Sequence, residues 1–382
     1  MFENRSVMIE KFISWPLRRL ADQRAELLRE QQRALRRALS LPGVAQAALD
    51  TKVGTAPHDV VFELGTLRLL HYRRSTPPVH PEPVLFCYAL INRPYILDLQ
   101  PDKSVVRRYL DAGFDVYLID WGVPSHEDRG LKLDDYVCRF MAGVVDFILA
   151  QHRCERLHLL GYCMGGTMSV LFAALYPERV ATLTLLAAPI DFDVRESLLN
   201  IWTQPKYFDV DALVDAHGNC PAWFLQLCFS STKPIQNLVE KHLGFFEQMD
   251  DPRFVTNYFA MERWVNDNIP VAGETFRQFV RDLYQENQLV RGTFHIGAER
   301  IDLRRIACPL LLLTAKNDHL VSPASTYGLN RCVSSVDVKE MMIDAGHVGL
   351  VVSSKAHKTF WPEATQWLAR RTRSAETLPA TE

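Results

Sequence analysis

The 382-residue chain lacks a long uninterrupted apolar run. A helix crossing a bilayer needs about eighteen or more consecutive apolar residues, and no stretch approaches that. The N-terminus also lacks a continuous apolar segment behind its first charges, so neither secretion nor a transmembrane span is expected. Charge of one sign is missing too. Lys and Arg total 43 against 45 Asp and Glu, a formal net charge of −2, and no global positive field exists to draw in nucleic-acid phosphates. The cysteines lack the spacing of a disulfide framework or a metal site. Eight are scattered (87, 138, 154, 163, 220, 228, 308 and 332), and several sit in apolar runs such as Val84-Leu85-Phe86-Cys87-Tyr88. Reduced thiols in a cytoplasm, with no metal, fit that pattern.

What is present is one unusual cysteine. Leu159-Leu160-Gly161-Tyr162-Cys163-Met164-Gly165-Gly166 follows the strand-like Arg156–His158 and precedes the apolar helical run Thr167–Leu175. This is the G-x-S-x-G nucleophile elbow of the α/β hydrolases with cysteine in place of serine. A strand turning sharply into a helix forces the middle residue into a strained conformation, and the flanking glycines leave room for the neighbouring backbone. The alternative, a buried structural cysteine beside a glycine-rich turn, does not need the strand and helix on either side.

The surrounding pattern suits that fold. Strands are expected at Val60–Leu64, Leu67–Tyr72, Val84–Ala89, Asp115–Asp120, the segment before Cys163, Val180–Ala187, Pro309–Thr314 and Val336–Ile343. Helices are expected at Ser104–Ala112, Asp134–Gln151 and Lys355–Arg371. Near-continuous apolar strands alternating with helices indicate a mostly parallel sheet covered on both faces, with ligands at the carboxyl ends of the strands.

Four further regions complete the organisation. Residues 1–58 carry a basic amphipathic helix, apolar at Leu17, Leu20, Leu27, Leu28, Leu35 and Leu39 and ended by Pro42-Gly43; residues 1–40 hold nine Lys/Arg and five Asp/Glu. Such a helix can lie on a surface or a partner, or pack on its own core. The core runs over 59–190 and resumes at 298–373. Between them, 191–297 is rich in aromatics, including Trp202, Tyr207, Phe208, Phe224 and Phe229, and reads as a helical cap above Cys163. Its rings either build the cap's own core or face the nucleophile. A polar tail, 374–382, is expected to be disordered.

A thiol becomes a nucleophile as thiolate or beside a base. This fold orders its triad as nucleophile, acid, histidine. Downstream of Cys163, Asp318 follows one expected strand and His347 follows the last, both on the sheet edge that carries the elbow. The catalytic trio is therefore read as Cys163, Asp318 and His347. Asp120 is an alternative acid, Asp344 lies too close to His347 to fold back onto it, and His319 suits a supporting or substrate-facing place. Oxyanion donors are expected from the backbone amides of Met164, after the nucleophile, and Ile91, in the loop Leu90–Arg93. Arg93 suits an ion pair or a substrate phosphate.

The sulfur itself carries information. Acyl transfer from a thioester to Cys163 exchanges one thioester for another, so the acyl-enzyme keeps its reactivity. Water as second nucleophile makes a hydrolase, and an alcohol makes an ester.

Tyr88–Tyr95, Tyr117–Gly122, Gly161–Gly166, Gly273–Phe279 and Asn317–Val321 closely resemble the polyhydroxyalkanoate synthases, over about residues 60–370. The resemblance implies polymerisation of (R)-3-hydroxyacyl-coenzyme A, with 3-hydroxybutyryl as the expected unit and coenzyme A as leaving group rather than cofactor. It places the growing chain on Cys163, makes His347 its base, and assigns Asp318 either to orienting His347 or to activating the incoming 3-hydroxyl. Only about 60 residues precede the first core strand, so the long N-terminal domain of one-component synthases is expected to be missing. Among the subclasses the chain looks most like a class III catalytic subunit. That implies a second non-catalytic subunit, a homodimer, and a cytoplasmic protein on polyester granules. A thioesterase or intracellular polyester depolymerase on the same triad is the alternative, and a silent granule-associated scaffold is a third reading.

Overall fold

In the computed structural model, residues 3–194, 197–233 and 240–372 are described; the expected tail at 374–382 lies outside them. Packing divides the chain into two units, Met1–Thr51 with Ile235–Ala260, and Lys52–Pro234 with Met261–Glu382. The first of these groups residues 235–260, read from the sequence as cap, with the N-terminal helix.

In that unit α1 runs from Glu3 to Asp50. It continues through Pro42-Gly43, which the sequence reading placed at its end. Proline removes one main-chain hydrogen bond and strains the preceding turn, at a cost of about 3 kcal/mol. The strong helix formers that follow, Ala45 to Leu49, carry the helix another two turns, until Thr51 closes it by donating from its N–H and its hydroxyl to the Ala47 carbonyl. Leu27, Leu28, Leu35, Leu39 and Leu49 are exposed along it. The guanidinium of Arg37 lies over the Phe246 ring, 4.8 Å from its centroid.

The second unit is built on an eight-stranded sheet in the order β1-β2-β4-β3-β5-β6-β9-β10. These strands are β1 His58–Leu64, β2 Leu67–Tyr72, β3 Val84–Cys87, β4 Val116–Asp120, β5 Leu157–Tyr162, β6 Val180–Leu186, β9 Leu310–Ala315 and β10 Val338–Ile343; a two-residue-long pair, β7 His295–Ile296 and β8 Glu299–Arg300, stands apart. β2 pairs antiparallel with β1 and β4, and all the other pairings in the sheet are parallel. Every residue of β3, β5 and β9 is buried, as strands covered on both faces require. The last strand begins two residues later than expected. Val336 is 99% exposed, and Asp337 is turned outward to receive both arms of the Arg371 guanidinium at 2.8 Å.

Helices cover the sheet: α2 Val105–Asp111, capped by the Ser104 hydroxyl, α3 Ala142–His152, and α4 Met164–Leu175. All twelve residues of α4 are buried, the pattern of a helix enclosed on every side. The expected helix at 134–151 begins as a wider π-helical stretch, Asp135–Met141, before α3. After β6 the chain forms α5 Leu198–Trp202, α6 Val210–His217 and α7 Ala222–Thr232, then α8 Lys241–Gln248 and α9 Pro252–Val265. It returns through α10 Gly273–Gln278 and a π-helical segment, Phe279–Gln285. Among the described residues no helix is long and apolar enough to cross a membrane.

Candidate active site

Cys163 is the single residue between β5 and α4. It sits at φ 55°, ψ −128°, in a region that side chains other than glycine rarely occupy. Strain of this kind costs on the order of 1–3 kcal/mol and persists only where the surroundings impose it. Here they do: the Cys163 N–H donates to the Leu186 carbonyl at 2.9 Å, and its own carbonyl accepts from Gly166 at 2.8 Å. The glycines around it are required by close approach. A Cβ on Gly165 would stand 2.2 Å from the Cys87 carbonyl oxygen, and one on Gly166 would stand 2.4 Å from the Ala188 Cβ. The tight strand-to-helix junction thus presses α4 against β3 and the end of β6.

Asp318 stands three residues beyond β9, in a turn closed by its N–H to the Ala315 carbonyl at 3.2 Å. One carboxylate oxygen, Oδ1, accepts from the Leu320 and Val321 amides, both at 2.9 Å. The other, Oδ2, lies 2.7 Å from Nδ1 of His347. Burial raises the carboxyl pKa, but the His347 charge, its hydrogen bond and the two amides outweigh it, and the group is held below the usual carboxylate range.

His347 is 6% exposed and follows β10. Its ring stacks on that of Tyr162, centroids 5.2 Å apart, and the Tyr162 hydroxyl donates to the His347 carbonyl at 3.3 Å. Burial disfavours the charged imidazole, yet the negative charges of Asp318 and Cys163 and hydrogen bonds to both raise its pKa to about 10. With Nδ1 engaged by Asp318, Nε2 is the ring nitrogen left for the cysteine sulfur. The arrangement can hold a proton on the imidazole beside the sulfur.

The structure thus brings together Cys163, Asp318 and His347, and not the other acids. Asp120 is taken by Arg68 at 2.6 Å and the Gly122 amide at 3.0 Å. Asp344 accepts from the Asn317 side chain at 2.7 Å. His319 is half-buried; burial and the charge of Lys233 lower its pKa to about 4, and its Nδ1 has no partner among the described residues.

Ile91 and Met164 line one cavity with Cys163. The loop carrying Ile91 turns through Asn92, at φ 68°, whose Oδ1 accepts the Arg93 amide at 2.7 Å. Arg93 pairs with Asp267 at 3.5 Å, and its carbonyl accepts from Trp264 Nε1 at 2.9 Å.

The cavity has a volume of about 310 Å³ and is lined almost wholly by apolar side chains, among them Trp202, Phe208, Phe224, Phe229, Phe276 and Tyr284. Several cap aromatics therefore line the space beside the nucleophile while also packing on one another, as Phe208 does on Phe224 with ring centroids 5.8 Å apart. Tyr284 escaped the sequence reading. The signal was its place five residues beyond the Gly273–Phe279 segment, but nothing local says that the ring turns inward. Among the described residues no cluster of His, Cys, Asp and Glu suits a metal ion.

This fold and this site define an enzyme of the α/β-hydrolase class. Residues 82–353 match the alpha/beta hydrolase fold family, and residues 24–110 match the N-terminus of poly-beta-hydroxybutyrate polymerase (PhaC). A solved structure of Sulfolobus solfataricus described as a lipase superposes with a TM-score of 0.52 at 14% identity, covering 82% of this chain and 99% of that one. At that identity the likeness shows the fold alone. The poly(3-hydroxyalkanoate) polymerase subunit PhaC of Haloferax mediterranei is 44% identical over 327 residues, 86% of this chain and 66% of the relative's length. The same subunit of Allochromatium vinosum is 40% identical over 326 residues, 85% of this chain and 91% of that one. The chain belongs to the poly(3-hydroxyalkanoate) polymerase PhaC family.

Proposed function

We propose that the chain is a poly(3-hydroxyalkanoate) synthase catalytic subunit that polymerises (R)-3-hydroxyacyl-coenzyme A through a thioester on Cys163. The observation that carries this reading is a cysteine, rather than serine, held at a strained elbow against a buried imidazole–carboxylate pair, in a family named for polyester synthesis.

The Cys163 thiolate attacks the thioester carbonyl of the substrate. Negative charge on that oxygen is taken by the Met164 and Ile91 amides. The carbon–sulfur bond to coenzyme A breaks, the leaving thiolate takes the proton stored on His347, and the acyl group remains on Cys163. Neutral His347 then accepts the proton of an incoming 3-hydroxyl as that oxygen attacks the Cys163 thioester. An ester bond forms, and the Cys163 thiolate and the imidazolium are restored. Asp318, bound by two amides and by Nδ1, is proposed to orient His347 rather than to meet the hydroxyl itself. No cofactor is needed, since coenzyme A only departs.

The apolar lining supports an alcohol carried on an acyl chain as second nucleophile, because such a chain, unlike water, gains from contact with it. Purified protein incubated with 3-hydroxybutyryl-coenzyme A is expected to turn turbid with polymer. Free 3-hydroxybutyrate as the main product would instead assign a thioesterase or depolymerase.

The assignment extends to a class III arrangement: a homodimer working with a second, non-catalytic subunit at the surface of polyester granules in the cytoplasm. The exposed leucines of α1 support contact of that helix with the second subunit or the granule. Deleting residues 1–40 without loss of either association would remove that placement.

A further inference from the structure

A cavity walled by hydrocarbon has few ways to recognise an oxygen atom. Of the oxygen-bearing side chains lining this one, Thr203 already donates to the Leu199 carbonyl at 2.7 Å, and Tyr207 is 62% exposed. Tyr284 is different. Its hydroxyl has no protein partner among the described residues, although it borders the same apolar space as Cys163.

The phenol is also held in place. Its ring meets Phe192 edge-on at 4.7 Å and Phe279 at 6.0 Å. Next to it, the Gln285 side chain donates to the Thr203 carbonyl at 2.9 Å. Three residues on, Asn287 is bolted to the loop after β6: its Oδ1 accepts the Phe192 amide at 3.0 Å and its Nδ2 donates to Asp191 at 2.8 Å. Tyr284 itself lies on a π-helical turn, Phe279–Gln285, a local irregularity frequent at functional positions. Burial raises the phenol's pKa, and the charges of Cys163 and Asp318 add to that effect, so the group stays a neutral O–H donor close to the reacting atoms.

We propose that the Tyr284 hydroxyl donates a hydrogen bond to the 3-oxygen of the acyl unit bound beside Cys163, and so sets the preference for 3-hydroxyacyl over unsubstituted acyl thioesters. This rests on the synthase reading above. The thioester oxygen is directed to the Met164 and Ile91 amides. The 3-oxygen, two carbons away, then needs a donor of its own in a wall that offers one. A donor left unpaired in such a wall gains when the ligand supplies the oxygen and gains nothing from an acyl chain without it.

The test is single-turnover acylation of Cys163 by 3-hydroxybutyryl-coenzyme A and by butyryl-coenzyme A, in the wild type and in Tyr284→Phe, which removes one oxygen and keeps the ring stacking. A melting curve matching the wild type confirms that the variant is folded. The expected result is a wild-type preference for the hydroxylated substrate that falls by about tenfold in the variant, the scale of one hydrogen bond. A preference that survives the substitution, with both rates unchanged or lowered together, assigns Tyr284 to packing and overturns the proposal. So does a wild type that does not distinguish the two substrates. A wild type acylated by neither removes the synthase reading itself, an outcome distinct from those two.

Discussion

The Nδ1 of His347 lies 2.7 Å from Oδ2 of Asp318, although 28 residues separate the two in the chain. Both side chains are buried, and the second carboxylate oxygen is tied to two amides. These contacts restrain the pair, and the ring that it orients lies beside the sulfur of a third, distant segment.

Replacing the sulfur tests the covalent step. Cys163→Ala is expected to abolish coenzyme A release from 3-hydroxybutyryl-coenzyme A, by more than three orders of magnitude. Cys163→Ser is expected to elongate poorly, because an alkoxide is a worse leaving group than a thiolate. Steady-state release of free thiol and the yield of polymer check both; substantial turnover in the alanine variant would exclude the thioester intermediate.

Removing the base should be nearly as severe. His347→Gln is expected to lower kcat by several orders of magnitude, on the scale of a lost triad member. Asp318→Asn, which keeps the shape but not the charge, should also lower the pH at which the imidazole loses its proton. A pH profile of Cys163 alkylation reads that shift, and an unmoved profile would take Asp318 out of the role.

The same pair makes stability depend on pH in a defined direction. His347 is raised to about 10 in the folded protein, against about 6.5 in an unfolded chain. The unfolded state therefore loses its proton first. Stability from this group is complete below about pH 6.5 and is lost as pH rises toward 10. Urea midpoints measured from pH 6 to 10 should decline in the wild type and decline less in His347→Gln; parallel curves would contradict the assignment.

The elbow can be tested apart from the chemistry. Gly165→Ala places a methyl 2.2 Å from the Cys87 carbonyl oxygen, which belongs to a central strand and cannot move aside. Destabilisation on the order of 3 kcal/mol or more is expected, with Gly130→Ala, which meets open space, as a neutral control. Chemical denaturation of the two variants measures the contrast.

Much of this was legible in the residues, because the determining physics is local. An apolar run as continuous as Leu310–Leu313 can be satisfied only where both faces are covered, and so announces a central parallel strand. A cysteine framed by glycines between strand and helix announces an elbow, since no other backbone path accommodates that junction. The chain order of acid and histidine followed from the fold. The helix through Pro42 was not legible, because a proline's local penalty can be offset by the helix formers beyond it. Nor was the later start of β10, where the Asp337–Arg371 ion pair takes the preceding residues out of the sheet.

By itself, then, the sequence determined the period of the strands, the strained junction at Cys163 and the identity of the groups that could meet there. Only the tertiary structure decided which acid reaches His347, with Asp120 held by Arg68 and Asp344 by Asn317, and which cap aromatics turn toward the sulfur. It also left the Tyr284 hydroxyl unpaired in an apolar wall. The reason is physical. Backbone conformation answers to neighbours a few residues away, whereas a side chain's partners and desolvation are set by segments that meet only when the chain has folded.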